Sequence, residues 1–223
     1  MLSDANDYGL MVIFHGCTLP RGWERMYPNF VGSEAVLASE NLVFGQAHCD
    51  REAFKATLHP FIRNTVASME FGGTILNKRL NRTNDGGSIR RTGDIFQLAT
   101  AVLFQNPIQN FALTPNNLED APDFCIDFMR EVPTTWDEVR LLDGYPGRYV
   151  LLARRHGNRW WVAGVNATSE PLTLTVALPE GFRHGQLYLD NEQLAPSCRE
   201  VKLQKGKLPI TLAPNGGVVL VER

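Results

Sequence analysis

The chain has 223 residues, 43% of them hydrophobic, and 22 basic against 24 acidic side chains leave a net charge of −2. This composition suits one large folded domain or two small ones and gives no electrostatic ground for nucleic acid or an anionic membrane as partner. No run of about 20 apolar residues is present to span a bilayer, and the acids within residues 1–10 do not read as an export signal.

In chain order, residues 10–14 (LMVIF) form a continuous apolar run of strand length, the kind buried on both faces of a parallel sheet. A polar and aromatic stretch follows over 15–41. Residues 77–93 are polar around Asp85-Gly86-Gly87 and read as a long loop. Asp94 then caps a predicted helix over 94–105, in which Ile95, Leu98, Ala99, Val102 and Leu103 recur at helical steps until Pro107 stops it. A short strand is expected over 108–113 and a helix over 123–131, ended by Pro133. Strands alternating with helices imply α/β architecture.

The pattern changes at Gly144-Tyr145-Pro146-Gly147, which divides the chain into 1–147 and 148–223. Beyond it come β-rich runs at 148–155, 159–165, 172–178, 186–190, 201–203, 208–212 and 217–221, separated by Gly, Asn and Pro, the pattern of a small antiparallel sandwich. Alternation along a strand sends Trp160 and Trp161 to opposite faces, one to the core and one to solvent. Cys17, Cys49, Cys125 and Cys198 are too widely spaced for C-x-x-C motifs and read as free thiols.

Position nominates 15–41 as the functional stretch, because open sheets and barrels build sites beyond the carboxyl ends of their strands. Glu34 and Glu40 lie six residues apart, about 600° of helix rotation and so about 120° from a common face, and would have to cooperate from a loop. Such a pair can hold a hard cation, divide acid and base roles in glycoside hydrolysis, or be two solvated surface carboxylates. His15, at the end of the first strand, reads on its own as a hydrogen-bonded core histidine. His48, Cys49 and His59 lack zinc-like spacing. Arg25 and Arg63 either shape a sugar site or, as expected here, tie loops through ion pairs; Trp23 and Tyr27 either stack on a sugar face or, as expected, pack; and Lys78, Arg79, Arg82, Arg90 and Arg91 are expected on a solvated loop.

The stretch from His15 to Asn41 resembles glycoside hydrolase family 97, the bacterial calcium-dependent α-glucosidases and α-galactosidases. Their pattern, His-(Glu or Gly)-x-x-x-Pro-x-Gly-x-x-Arg-Thr-Tyr-Pro-Asn followed by two spaced glutamates, is matched by His15, Gly16, Pro20, Gly22, Arg25, Tyr27, Pro28, Asn29, Glu34 and Glu40, with Met26 in place of Thr. Pro60-Phe61-Ile62-Arg63, Met69-Glu70-Phe71-Gly72-Gly73 and Val132-Pro133-Thr134-Thr135-Trp136-Asp137-Glu138 extend the resemblance over essentially the whole chain, with Glu70 where the family has Asp.

The resemblance implies the C-terminal half of a catalytic (β/α)8 TIM-like barrel over 1–147, with strands near 10–14, 30–31, 60–66 and 108–113, then a β-sandwich over 148–223. A full barrel takes about 250 residues, so the early barrel strands and an N-terminal sandwich would lie upstream. By the same resemblance Glu40 is the general acid and a Ca2+ ligand, Glu34 a second Ca2+ ligand, and His15 a substrate-facing side chain. Gly16, where the inverting branch has a glutamate base, points to the retaining branch, whose nucleophile would sit on a strand ahead of Met1. The implied function is hydrolysis of terminal α-linked sugars, with an oligosaccharide or α-glycoside as substrate. The alternative is a catalytically inactive remnant acting at most as a carbohydrate-binding module. Expected partners are the missing N-terminal part or a second copy closing the open barrel. Family members are generally periplasmic or secreted.

Overall fold

The computed structural model describes residues 1–72, 76, 78–83, 85–203 and 206–223. Gly73 of the Met69 motif, and Asn77 and Asn84 of the expected loop, lie outside them. Helix α1 (Leu2–Asp7) leads into strand β1 (Val12–Phe14). A 3-10 turn (Trp23–Arg25) precedes β2 (Phe30–Ser33), and a second (Ser39–Phe44) precedes the short helices α2 (Gln46–Cys49) and α3 (Glu52–Ala56). Helices α4 (Asp94–Leu103), α5 (Asn117–Asp120) and α6 (Asp123–Glu131) follow. The remainder is all β: β3 (Glu138–Tyr145), β4 (Tyr149–His156), β5 (Arg159–Asn166), β6 (Leu172–Ala177), β7 (His184–Asp190), β8 (Pro196–Lys202), β9 (Lys207–Leu212) and β10 (Gly217–Glu222).

Strands β3-β4-β5-β10-β7-β8, in that spatial order, form a six-stranded sheet in which every neighbouring pair is antiparallel. The pair β6-β9 makes a second antiparallel layer. The period of two along each central strand feeds two cores. Val150, Leu152, Trp161, Ala163, Val219 and Val221 join Ile95, Phe96, Leu98 and Phe128 of the helices on one face. Leu151, Ala153, Trp160, Val162, Val218 and Leu220 meet Val176, Leu208, Ile210 and Leu212 of the small sheet on the other. Trp160 and Trp161 do take opposite faces, but both are buried, because both faces of the sheet are covered. No solvent-facing tryptophan results from the alternation.

The large sheet begins at Glu138, ahead of the expected division. Pro146 and Gly147 turn the β3-β4 hairpin, in which Tyr145 faces Tyr149 and the Arg148 amide donates to the Tyr145 carbonyl at 2.9 Å. Upstream, β1 and β2 pair in parallel, and Met69 makes a parallel bridge to Ser33 at the end of β2. Two expected strands are absent. Residues 60–66 run through turns whose amides bond three to five residues back, as Ile62 does to the Leu58 carbonyl at 3.1 Å and Asn64 to the His59 carbonyl at 3.0 Å. Residues 108–113, which include the polar Asn110, pair with no strand among the described residues.

Helix α4 joins the helical part to the sheet. Asp94 does not cap it. That role falls to Asp190 at the end of β7, whose buried carboxylate accepts the amides of Ile95 (3.0 Å), Phe96 (2.8 Å) and, on β10, Gly217 (2.9 Å). Asp94 instead takes the guanidinium of Arg90. Arg90 is buried, Lys78 donates to the Thr92 carbonyl at 2.9 Å, and burial lowers the Lys78 pKa to about 8, so this part of the basic cluster is not a solvated loop. The approach of α4 is close: a Cβ on Gly217 would stand 2.4 Å from the Phe96 Cα, which leaves room for glycine alone.

A candidate active site at the ends of three parallel segments

Three chain segments lie side by side in parallel, and each delivers one side chain immediately past its carboxyl end: His15 after β1, Glu34 after β2, and Glu70 after Met69. The backbone locks the register, since the Glu34 amide donates to the Phe14 carbonyl (2.8 Å) and the Glu70 amide to the Ser33 carbonyl (3.1 Å). Glu40 arrives from the 3-10 turn Ser39–Phe44. The buried Ser39 hydroxyl donates to the carbonyls of Phe71 and Gly72, and the Ser39 amide also bonds Phe71, so the turn carrying Glu40 is fastened to the segment that follows Glu70.

His15 is the hub. Its Nε2 lies 2.6 Å from Glu70 Oε2, while its Nδ1 stands 3.5 Å from Glu40 Oε2 and 3.8 Å from Glu34 Oε1. Ligand atoms of His15, Glu34 and Glu40 all fall within 4.8 Å of one another. Burial works against a charge on His15, yet the carboxylates of Glu70, Glu34 and Glu40 outweigh it and raise its pKa. Glu34 is only 5% exposed. Burial raises its pKa against the pull of the Gly16 amide, which donates to its Oε2 at 3.3 Å, and neighbouring Glu40 adds to the rise. Glu34 Oε1 is buried and accepts no hydrogen bond among the described residues. An unpartnered carboxylate oxygen facing a second carboxylate fits a hard cation, which prefers oxygen ligands and would relieve both the desolvation and the repulsion.

The supporting residues differ from expectation in two places. Arg63 ties loops without any ion pair among the described residues. Its buried guanidinium donates to the carbonyls of Glu34 (3.2 Å), Ser33 (2.9 Å), Ala67 (3.0 Å) and Ser68 (3.0 Å) and to the Ser33 hydroxyl (3.1 Å), stitching the end of β2 to the approach of Glu70. Arg25 is exposed. Trp23 packs edge-on against Phe14 and Phe30, as expected of it. His59 lies between Phe71 and Phe104, and Cys49 donates to the Leu42 carbonyl. All four cysteines are free. Glu70 is the functional candidate that spacing did not reveal; its signals are its place in the Met69–Gly73 motif and directly after Met69, as His15 and Glu34 follow their strands.

The carboxylate-lined mouth at the ends of the parallel segments is continued along the chain by the antiparallel β module. Residues 135–221 match the family model described as glycosyl-hydrolase 97 C-terminal, oligomerisation. The chain is 36% identical over 218 residues to a probable retaining α-galactosidase of Streptomyces bingchenggensis, aligning 95% of itself with 31% of that protein. It is 30% identical over 230 residues to a retaining α-galactosidase of Bacteroides thetaiotaomicron, with 96% of the chain and 34% of the relative aligned. A crystal structure of a β-arabinopyranosidase superposes with a TM-score of 0.94 at 63% identity, covering 99% of this chain and 36% of that one. By these matches the chain is similar to the C-terminal part of glycoside hydrolase family 97 proteins, and it spans about a third of the length of the relatives it matches.

Proposed function

We propose that this chain is the C-terminal part of a retaining glycoside hydrolase acting on terminal α-galactosides and β-arabinopyranosides. The observation that carries the reading is the convergence of His15, Glu34 and Glu40 within 4.8 Å. The two names among its relatives agree chemically: a β-L-arabinopyranoside has the ring configuration of an α-D-galactoside without the hydroxymethyl group at C5. In this reading residues 1–131 supply the later strands and helices of a (β/α)8 barrel, an assignment supported by the three parallel segments and by their shared delivery of polar groups at one end. Tyr8, Leu10 and Met11, exposed ahead of and at the start of β1, support closure by the earlier barrel strands. Val139, Leu141 and Tyr145, exposed on the outermost strand β3, support self-association through the β module.

In the reaction a carboxylate from the earlier barrel attacks the anomeric carbon while Glu40 gives its proton to the departing glycosidic oxygen. Water then displaces the enzyme carboxylate as Glu40 takes the proton back. Glu40 is half exposed and so reaches substrate, while the more deeply buried Glu34 is held by the Gly16 amide. His15 faces the sugar. Glu34 and Glu40 are the residues that would hold Ca2+, which when bound supplies positive charge to the mouth and neutralises the paired carboxylates.

The test is Glu40→Gln in the enzyme that contains this chain. Substrates with poor alkyl leaving groups should lose at least 100-fold in kcat/KM, and activated aryl glycosides much less, because they need little acid help. Equal losses on both would overturn the acid assignment. Absence of turnover by the unmutated enzyme on both aryl α-galactosides and aryl β-arabinopyranosides would leave the sugar-binding remnant as the better reading.

A further inference from the structure

Glu70 is 2% exposed, and among the described residues no Lys or Arg forms an ion pair with it. A buried carboxylate without such a partner is costly, and its retention calls for a compensating contact. The structure offers His15 Nε2 at 2.6 Å to Oε2, and the Asn110 amide at 3.4 Å to Oε1. The backbone makes space for it. Gly72 sits at φ +59°, and a Cβ there would stand 3.3 Å from Glu70 Oε1.

We infer that Glu70 is the positioning residue of this mouth: its buried carboxylate binds the Nε2–H of His15 and so fixes the imidazole with Nδ1 alone offered to Glu34, Glu40 and the substrate. A carboxylate accepts and cannot donate, so the ring nitrogen held at 2.6 Å from it carries the proton, whereas Nδ1 makes no hydrogen bond to Glu34 or Glu40 among the described residues. Nδ1 then points the other way, 3.5 Å from Glu40 and 3.8 Å from Glu34. Without Glu70 the half-exposed ring is free to flip about χ2 and present either nitrogen, since both Glu34 and Glu40 lie on one side of it. The same logic, in which a carboxylate behind a histidine fixes its tautomer and direction, recurs wherever histidine must present one defined nitrogen.

The part of this inference that concerns catalysis rests on the hydrolase reading; the part that concerns the ring does not, and the two are tested separately. Long-range 1H–15N NMR of the imidazoles in the 223-residue chain, at a pH where His15 is neutral, should show His15 as the Nε2–H tautomer with a slowly exchanging ring proton. Glu70→Leu should turn it into a rapidly exchanging mixture. Glu70→Asp, one methylene shorter, should keep the tautomer with faster exchange. An Nδ1–H tautomer in the unmutated chain, or a His15 spectrum indifferent to Glu70→Leu, overturns the inference, and the first of these needs no variant to fold. In the enzyme containing this chain, Glu70→Gln should lower kcat/KM by about 10- to 100-fold, mostly through KM, with Glu70→Asp recovering part of it. A change below twofold overturns the positioning role even where the ring behaves as expected. If the unmutated enzyme turns over no glycoside while the NMR result holds, the hydrolase reading fails and the assignment of Glu70 to His15 stands.

Discussion

Replacing Asp190 by Asn tests whether a strand residue starts α4 in place of a local cap. The carboxylate accepts three buried amides, Ile95 on Oδ1 and both Phe96 and Gly217 on Oδ2. Asparagine keeps one acceptor. In its better orientation the oxygen serves Phe96 and Gly217, and the amide group faces the Ile95 N–H donor to donor, which costs about 1–3 kcal/mol. The two remaining bonds lose their charge assistance, and the helix N-terminus loses its anion, worth roughly another 1 kcal/mol together. The expected loss is about 3 kcal/mol, a large fraction of the stability of an ordinary domain. Urea denaturation of the chain at pH 7.5 gives the number, and hydrogen exchange at the Ile95, Phe96 and Gly217 amides gives the location. A loss below about 1 kcal/mol, or unchanged protection at those amides, would refute the trans-capping argument.

Other consequences are equally direct. Gly217→Ala places a Cβ 2.4 Å from the Phe96 Cα and should destabilise by at least about 2 kcal/mol in the same assay, with exchange rising along α4. His59, whose pKa burial lowers to about 4, stays neutral in the fold; it contributes stability that is complete above pH 6.5 and is lost as pH falls toward 4, about 3 kcal/mol in all, and His59→Phe should flatten that part of the stability–pH curve. Arg63→Lys, which exchanges a five-bond fork for a single ammonium, should cost about 2 kcal/mol in chemical denaturation. Calorimetric titration of the chain with Ca2+ should show binding that Glu34→Gln weakens by about tenfold or more, with no loss of fold by circular dichroism. Equal affinity in the two proteins would remove Glu34 from the ligand set.

What could be read beforehand follows from where each signal is local. The helical spacing of Ile95, Leu98, Val102 and Leu103 lies within one element and marked α4 to within two residues of its end. The alternation in the β-rich runs likewise found seven strands, though β8 starts at Pro196, ahead of the expected 201–203. Strand β3 escaped because its edge position leaves Val139, Arg140 and Leu141 all exposed, which erases the alternation. Glu34 and Glu40 illustrate the opposite case: their spacing alone put them on different faces, and only the motif around them brought them together. Glu70 meets His15 across 55 residues, and Asp190 meets Ile95 across 95, separations over which no periodicity speaks. Arg90 and Lys78 read as solvated because a run of charges carries no information on what later covers it.

Helix α4 has anchors at both ends. Asp190 holds its first turn, Arg154 of β4 donates to the Leu103 carbonyl at 3.1 Å at its last, and the Gln105 carbonyl just beyond receives the Met69 amide at 2.9 Å, one residue from Glu70. The helix is therefore a strut laid along the β module, with its far end meeting the floor of the mouth. Anyone swapping β modules between relatives should cut ahead of Asp94 and carry the helix along, because a graft joined at residue 148 would separate the strut from the β7 carboxylate on which it stands.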